Sequence, residues 1–463
     1  METTDKIFDL IVIGGGPAGF SAAQKAAKLG LSVLIAEKDA TLGGTCLNRG
    51  CIPTKALLHS SGLIRQIRSA SAFGINAEAS VDDGKLFEYR DNTVKTLVTG
   101  LEQSVKACGC EIVYGKASVL PDMTDGIISV DVGGTVFRAK DVLLATGTVP
   151  ALPPIDGIDS DAVITSNDLL EGKELPESLI IVGGGVIGCE FASLYTDLGR
   201  RVTVVEALPR ILANMDKDVA RNLQMILKNR GAEIYSGAQV TKIASSGGKA
   251  EVTFAAGGEE KTVSSDKVLI ATGRRAVLDC CDAVSDRLEM TNGRIVTDEN
   301  GKTSIDHIYA AGDIAAGIQL AHKASAEGEN IAMTIAGKKP LNDMNVIPAC
   351  VYCSPEIACV GMTDTEAKEA GINAVTARAV TSANSRSVIC LEERGFVKLV
   401  AEKDTGILLG AQLMCANASD IIGELSVAVA NRLTAEQCLK AVRPHPSYEE
   451  AVGAALAELT GKI

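Results

Sequence analysis

The chain has 463 residues, 46% of them hydrophobic, which allows about three domains with substantial cores. Asp and Glu number 58 against 45 Lys and Arg, a net charge of −13 that argues against nucleic acid or an anionic membrane as partner, because phosphates would be repelled. No apolar run approaches the ~20 residues of a membrane span. Met1 to Phe8 has neither the basic nor the apolar region of a secretion signal, so a soluble, cytoplasmic protein is expected. Thirteen cysteines at irregular spacing suit a reducing compartment, where most serve as small apolar fillers.

Asp9 to Ile13 reads as a buried strand, followed at once by Gly14-Gly15-Gly16-Pro17-Ala18-Gly19 and a helical run ending near Gly30. Leu31 to Ala36 reads as a second strand, stopping at Glu37. Glycines at 14, 16 and 19 permit a tight turn, close approach of a pyrophosphate and close helix–strand packing, and the helix N-terminus favours phosphate charge. Glu37 is placed to take the hydroxyls of an adenosine ribose.

In Gly43-Gly44-Thr45-Cys46-Leu47-Asn48-Arg49-Gly50-Cys51-Ile52-Pro53-Thr54-Lys55, two cysteines stand five positions apart. On a straight helix their Cα atoms would be roughly 8–9 Å apart, whereas a disulfide needs about 7 Å or less. Closure therefore requires a distorted helix. Pro53 leaves the Arg49 carbonyl without its donor, and Gly50 adds backbone freedom. A bond closed under local strain is easier to reduce, so the pair reads as a dithiol that opens and closes. Lys55 lies one turn beyond Cys51 on the same face, where its charge can stabilise a thiolate.

The nucleotide pattern returns. Leu179 to Val182 is a strand, Gly183-Gly184-Gly185-Val186-Ile187-Gly188 a second glycine turn, and a helix runs to Gly199. Val202 to Val205 is the next strand, ending at Glu206, whose carboxylate repels a 2′-phosphate and favours NAD(H) over NADP(H). Arg200 and Arg201 are expected to face solvent. Two dinucleotides and a dithiol suggest a flavin standing between nicotinamide and sulfur, able to exchange electrons with both.

Cys350-Val351-Tyr352-Cys353 is a C-x-x-C, but it lies in a strand-like run without a helix N-terminus or a second pair at zinc-site spacing. It is expected to be structural. Cys280-Cys281 and Cys108-Gly109-Cys110 are assigned to packing or surface, and His59 and His307 to structural or surface roles. His445 is a candidate base, since Glu450 five residues on can hold one ring nitrogen in a turn.

Throughout its length the chain resembles the class I pyridine nucleotide–disulfide oxidoreductase family, and within it the branch that oxidises dihydrolipoyl groups. Residues 43–55 resemble its redox helix, and Thr303 to Asp313 its second flavin motif. Leu320-Ala321-His322-Lys323-Ala324 with Glu327-Gly328 resembles the segment lying against the flavin. Ala145-Thr146-Gly147 and Ala271-Thr272-Gly273-Arg274-Arg275 match the closing motifs of the two nucleotide domains, and His445-Pro446-Ser447-Tyr448-Glu449-Glu450 matches H-P-x-x-x-E.

The resemblance implies an α/β fold with two Rossmann-like dinucleotide-binding domains and a C-terminal α+β dimerisation domain. Residues 1–150 would bind FAD and 151–270 NAD, 271–344 would return to the FAD domain, and 345–463 would form the interface. It implies FAD contacts from Gly14, Gly16, Gly19, Glu37, Thr45, Lys55, Gly115, Thr146, Gly147, Asp313 and Ala321, with Asp313 on the ribityl chain and His322 acting through its backbone. NAD contacts would come from Gly183, Gly185, Gly188, Glu190, Glu206, Val240 and Gly273, with Glu190 also pairing Lys55. Cys46 would be the thiol that attacks substrate sulfur and Cys51 the one nearer the flavin. His445 and Glu450 would form a catalytic dyad reaching the partner subunit's disulfide in a homodimer. A lipoyl-carrying protein of a multienzyme complex would present the substrate.

Departures from the family pattern mark the rivals. Glutathione reductases place a serine and an arginine where Pro17 and Gln24 stand, and a basic cluster where Glu206 stands. Mercuric reductases end in a cysteine pair, whereas the last cysteine here is Cys438. Arg49, Thr54 and Tyr448 replace the commoner Val, Ser and smaller apolar residue, which leaves the disulfide substrate open. An inert FAD-holding subunit would have no need of Cys46, Cys51, His445 and Glu450 together.

Overall fold

The computed structural model describes residues 2–463. Its first unit is a seven-stranded sheet ordered 111–114, 33–37, 2–13, 135–144, 127–132, 117–124, with Ile308–Ala310 added alongside 135–144. The central strand, Glu2–Ile13, is parallel to both neighbours and buried on both faces near its end. Leu10 and Val12 enter one core while Ile11 and Ile13 enter the other, as the two-residue period of a strand requires. This strand begins well before Asp9. Its early part alternates no apolar face, and Thr3, Asp5 and Lys6 are exposed, so only pairing with Thr135–Leu144 defines it.

The second unit is a five-stranded parallel sheet ordered 233–236, 201–206, 178–182, 267–270, 163–165, with a three-stranded antiparallel sheet (238–246, 249–256, 259–265) beside it. The third is a five-stranded antiparallel sheet ordered 349–351, 356–361, 408–415, 396–402, 374–380, covered by helices Ala418–Ala430 and Glu450–Thr460. Among the described residues no helix is long and apolar enough to cross a membrane.

One hydrophobic core runs through all three units. Leu57 and Phe87 of the first, Ile181, Phe191 and Tyr195 of the second, and Val351, Cys353 and Phe396 of the third belong to it. Burial of so much apolar surface is the main force locking the units together. Arg200, expected to face solvent, is a correction: its side chain is 11% exposed and donates to the Asp83 carboxylate at 2.8 and 2.9 Å and to the Leu175 carbonyl. Its partner opens a helix more than a hundred residues upstream, which local pattern cannot reveal.

A buried ion cluster fixes the second unit against the third. Lys398 donates to Asp216 at 2.8 Å and Asp364 at 2.6 Å, with Asp218 at 3.9 Å. Burial alone would lower the Lys398 pKa, but the two carboxylates outweigh it and raise it. Asp216 is 2% exposed at its side chain, so removing its cation would strand a buried charge. Lys398→Ala is expected to cost about 3–5 kcal/mol, read as a lower urea midpoint with an unchanged slope.

Candidate active site

The two cysteines of the glycine-rich segment sit where the helix is interrupted. Residues Gly44–Arg49 form one short helix, Gly50 leaves helical geometry at φ −146° and ψ −109°, and Cys51 opens an 18-residue helix, Cys51–Arg68. The distortion expected between the cysteines is thus a full break. Pro53 lies in the first turn of the second helix, where its missing N–H costs no hydrogen bond. Gly50 is needed for a different reason from flexibility: a Cβ there would stand 2.8 Å from the Thr45 carbonyl oxygen. Asn48 holds the short helix from within, donating to the carbonyls of Leu42 at 3.1 Å and Gly44 at 3.0 Å.

The break brings the Cys46 and Cys51 thiols into hydrogen-bond contact. The bond from Cys46 pulls the Cys51 pKa down to about 7 against burial, aided by the Lys55 ammonium. The same bond, with burial, pushes Cys46 far up. Cys51 also stands at a helix N-terminus, where backbone N–H groups favour an anion. The reduced pair therefore carries its negative charge on Cys51.

Lys55 donates to both carboxylate oxygens of Glu190 at 2.9 Å and sits 4.6 Å from the centre of the Tyr352 ring. Glu190 in turn accepts the Tyr352 backbone N–H at 3.1 Å. The first unit supplies Lys55, the second Glu190 and the third Tyr352. Tyr352 was read only as a spacer in the C-x-x-C, since its partners lie far away in sequence. Cys353 is fully enclosed, its thiol pKa pushed up by burial, and Cys350 is held at about 11 by the same cause.

The two glycine turns are close copies. A Cβ on Gly19 would lie 1.9 Å from the Gly14 carbonyl oxygen, and one on Gly188 would lie 2.0 Å from that of Gly183. Each helix therefore packs against its turn with room for hydrogen only. Glu37 accepts the N–H of Gly15 at 2.7 Å and of Asp39 at 2.8 Å; Glu206 accepts those of Gly184 at 2.5 Å and Leu208 at 2.7 Å. A carboxylate has about four lone-pair sites, so each retains acceptors for ribose hydroxyls. Burial raises the Glu37 pKa, opposed by the backbone N–H groups of Gly15 and Lys38 and by the charges of Lys38 and Arg49.

A single cavity of about 1670 Å³ joins these parts. Its walls include Cys46 and Cys51, then Gly14, Gly16, Glu37, Thr45, Lys55, Gly115, Thr146, Gly147, Asp313 and Ala321 from the flavin set, and Gly183, Gly185, Glu190, Glu206, Val240 and Gly273 from the nicotinamide set. Gly19 and Gly188 stand behind it, in the helix–strand contacts just described. Asp313 accepts a hydrogen bond from Thr148 Oγ1 at 2.9 Å, and Thr148 Oγ1 accepts one from Arg274 Nε at 2.8 Å. Arg294 donates to the Asp313 carbonyl at 2.7 Å. Thr148 and Arg294 were missed in the sequence, although Thr148 directly follows a quoted motif. The glycine turns, the free carboxylate acceptors and the volume of the cavity fit two dinucleotides, with the dithiol on the same cavity wall.

His445 and Glu450 pair with each other at 2.9 Å, and Glu450 also accepts the Ser447 N–H at 2.9 Å. Neither lines the cavity, and the His445 side chain is 70% exposed. Within one chain the dyad and the dithiol are apart. His322 borders the cavity with its ring turned to the Pro348 carbonyl at 2.6 Å; His59 and His307 are exposed.

Comparison with known proteins agrees with this arrangement. Residues 8–328 match the pyridine nucleotide-disulphide oxidoreductase model, and 347–456 match that family's dimerisation domain. A dihydrolipoyl dehydrogenase of Bacillus subtilis is 36% identical over 98% of each chain, and one of Geobacillus stearothermophilus 37% identical over 96% of this chain and 94% of that one. Among solved structures, LpdA of Mycobacterium tuberculosis superposes with a TM-score of 0.88 at 26% identity, over 97% of this chain and 99% of that one. The HOCl-induced flavoprotein disulfide reductase RclA of Escherichia coli gives 0.85 at 26% identity over the same shares. FAD and NAD(H) are the cofactors of this family. Matched from the first glycine turn to the His–Glu pair, the chain belongs to the pyridine nucleotide-disulphide oxidoreductase family.

Proposed function

We propose that the protein is a dihydrolipoyl dehydrogenase, an FAD-containing oxidoreductase that converts a dihydrolipoyl dithiol and NAD⁺ to the cyclic disulfide, NADH and a proton. The observation that carries the reading is the placement of Cys46 and Cys51 on either side of a helix break, on the wall of a cavity lined by both glycine turns, with Cys51 the more acidic thiol. The first cradle would hold FAD and the second NAD⁺, and the flavin would supply electron-pair exchange with both sulfur and nicotinamide.

The inequality sets the direction of sulfur chemistry. Exchange is faster when the departing thiol has a low pKa. A substrate thiolate attacking Cys46 of the oxidised pair thus expels Cys51 as thiolate, beside Lys55. The second substrate sulfur then attacks the first, closes the substrate disulfide and frees Cys46. Cys46, whose pKa is high, takes up a proton. His445 is the base that takes the proton of the incoming thiol, while the proton of the second thiol passes to Cys46 as it departs, with Glu450 holding the histidine's Nδ1 side. Because the dyad lies apart from its own chain's cavity, the active site is completed in a homodimer, the partner subunit supplying the histidine. A lipoyl-carrying protein of a multienzyme complex presents the substrate. Gly14, Gly16, Gly19 and Glu37 would hold the flavin's pyrophosphate and ribose, and Asp313 its ribityl chain. Gly183, Gly185, Gly188 and Glu206 would hold NAD.

Cys46→Ser and Cys51→Ser are each expected to abolish dihydrolipoamide oxidation while the purified protein keeps its yellow colour; full turnover in either removes the dithiol from the reaction. Parallel assays with glutathione disulfide and mercuric ion should stay near background, since a preference for either would assign the site to another branch.

His445→Gln should slow reduction by dihydrolipoamide roughly 10²–10⁴-fold in stopped flow, the span of general base catalysis. A rate near wild type would take the histidine out of the mechanism.

In the reduced enzyme, alkylation of Cys51 by iodoacetamide should follow its thiolate: slow below about pH 7, where the sulfur is protonated, and rising through that value. Cys46→Ala removes the donor that lowers the Cys51 pKa, so the midpoint should move upward. An unmoved midpoint would mean the Cys46 bond does not set it.

A further inference from the structure

Arg49 lies between the two cysteines in sequence, and its side chain pairs with carboxylates. It ends the short helix Gly44–Arg49, and its guanidinium pairs with Asp39 and reaches Glu171 at 3.6 Å. Asp39 follows the first unit's second strand, two residues beyond Glu37, while Glu171 ends the helix Ser166–Glu171 on the facing side. Arg49 and Asp39 line the cavity, as do Asn167 and Leu170 of that facing helix. Side-chain exposures of 26% for Arg49, 29% for Asp39 and 57% for Glu171 place the cluster at the rim, where the cavity meets solvent.

We infer that Arg49 is a positioning residue for the flavin dinucleotide, an ionic strap from Asp39 to Glu171 that closes the Glu37 end of the cavity and slows the release of bound FAD. The inference rests on the assignment of the first cradle to FAD. One feature beyond the ion pairs supports it. The guanidinium charge also helps keep the buried Glu37 ionised, and an ionised carboxylate is the better acceptor for ribose hydroxyls.

The test is the rate at which the holoenzyme loses FAD, followed as the rise in free-flavin fluorescence after dilution. Two half-exposed ion pairs should slow release by roughly 5- to 30-fold, so Arg49→Met should release FAD faster by that factor. Glu171→Gln alone should give a smaller increase, and in the Arg49→Met background it should add nothing, since its partner is gone. Arg49→Lys should recover part of the difference. Wild-type release should quicken with added salt, and Arg49→Met release should respond much less. An Arg49→Met rate equal to wild type overturns the inference, as does an effect of Glu171→Gln that is the same in both backgrounds. A protein that bound no FAD would instead overturn the assignment of the first cradle, a separate result from flavin held and released equally by all variants.

Discussion

The close approach of Gly50 to the Thr45 carbonyl is the constraint on which the site depends. It ends one helix and begins another within two residues, and so places a cysteine at the head of a long helix while leaving its partner on the short one. A continuous helix would hold the two sulfurs apart and give neither an N-terminus. With the break, one thiol donates and the other accepts. The chain thus separates the sulfurs chemically by backbone path alone, before any cofactor is considered.

That local geometry is held by long-range packing. The helix Cys51–Arg68 contributes Leu57 to the core shared with the second and third units. Arg68 donates from its far end to the carbonyls of Asp197 and Leu198, satisfying groups at the end of the helix Val186–Leu198. The helix Cys51–Arg68 is therefore anchored to the second unit both beside the sulfur, through Lys55 and Glu190, and at its far end, through Arg68.

The parts legible in the sequence are those built from contiguous residues. Both glycine turns, their acidic partners and the cysteine pair each follow from spacing that a turn or helix imposes locally. Glu37 and Glu206 could be placed because a strand of fixed length separates each from its turn. What escaped depends on contacts between distant segments. Tyr352 meets Lys55 only because an antiparallel strand of the third unit runs past the redox helix. Arg200 is buried by Asp83, and the first strand extends back to Glu2 because Thr135–Leu144 is long enough to pair with it. Pro53 shows the remaining difficulty: its effect was visible, but whether it bends a helix or opens one depends on the backbone before it.

The Lys55 ammonium is held by a carboxylate from one unit and an aromatic ring from another, and the backbone N–H next to that ring steadies the carboxylate. Desolvation of a single cation is thereby divided among three structural bodies. Any repacking of the strand before Tyr352 alters the electric field at the Cys51 sulfur without changing an atom of the helix that bears it.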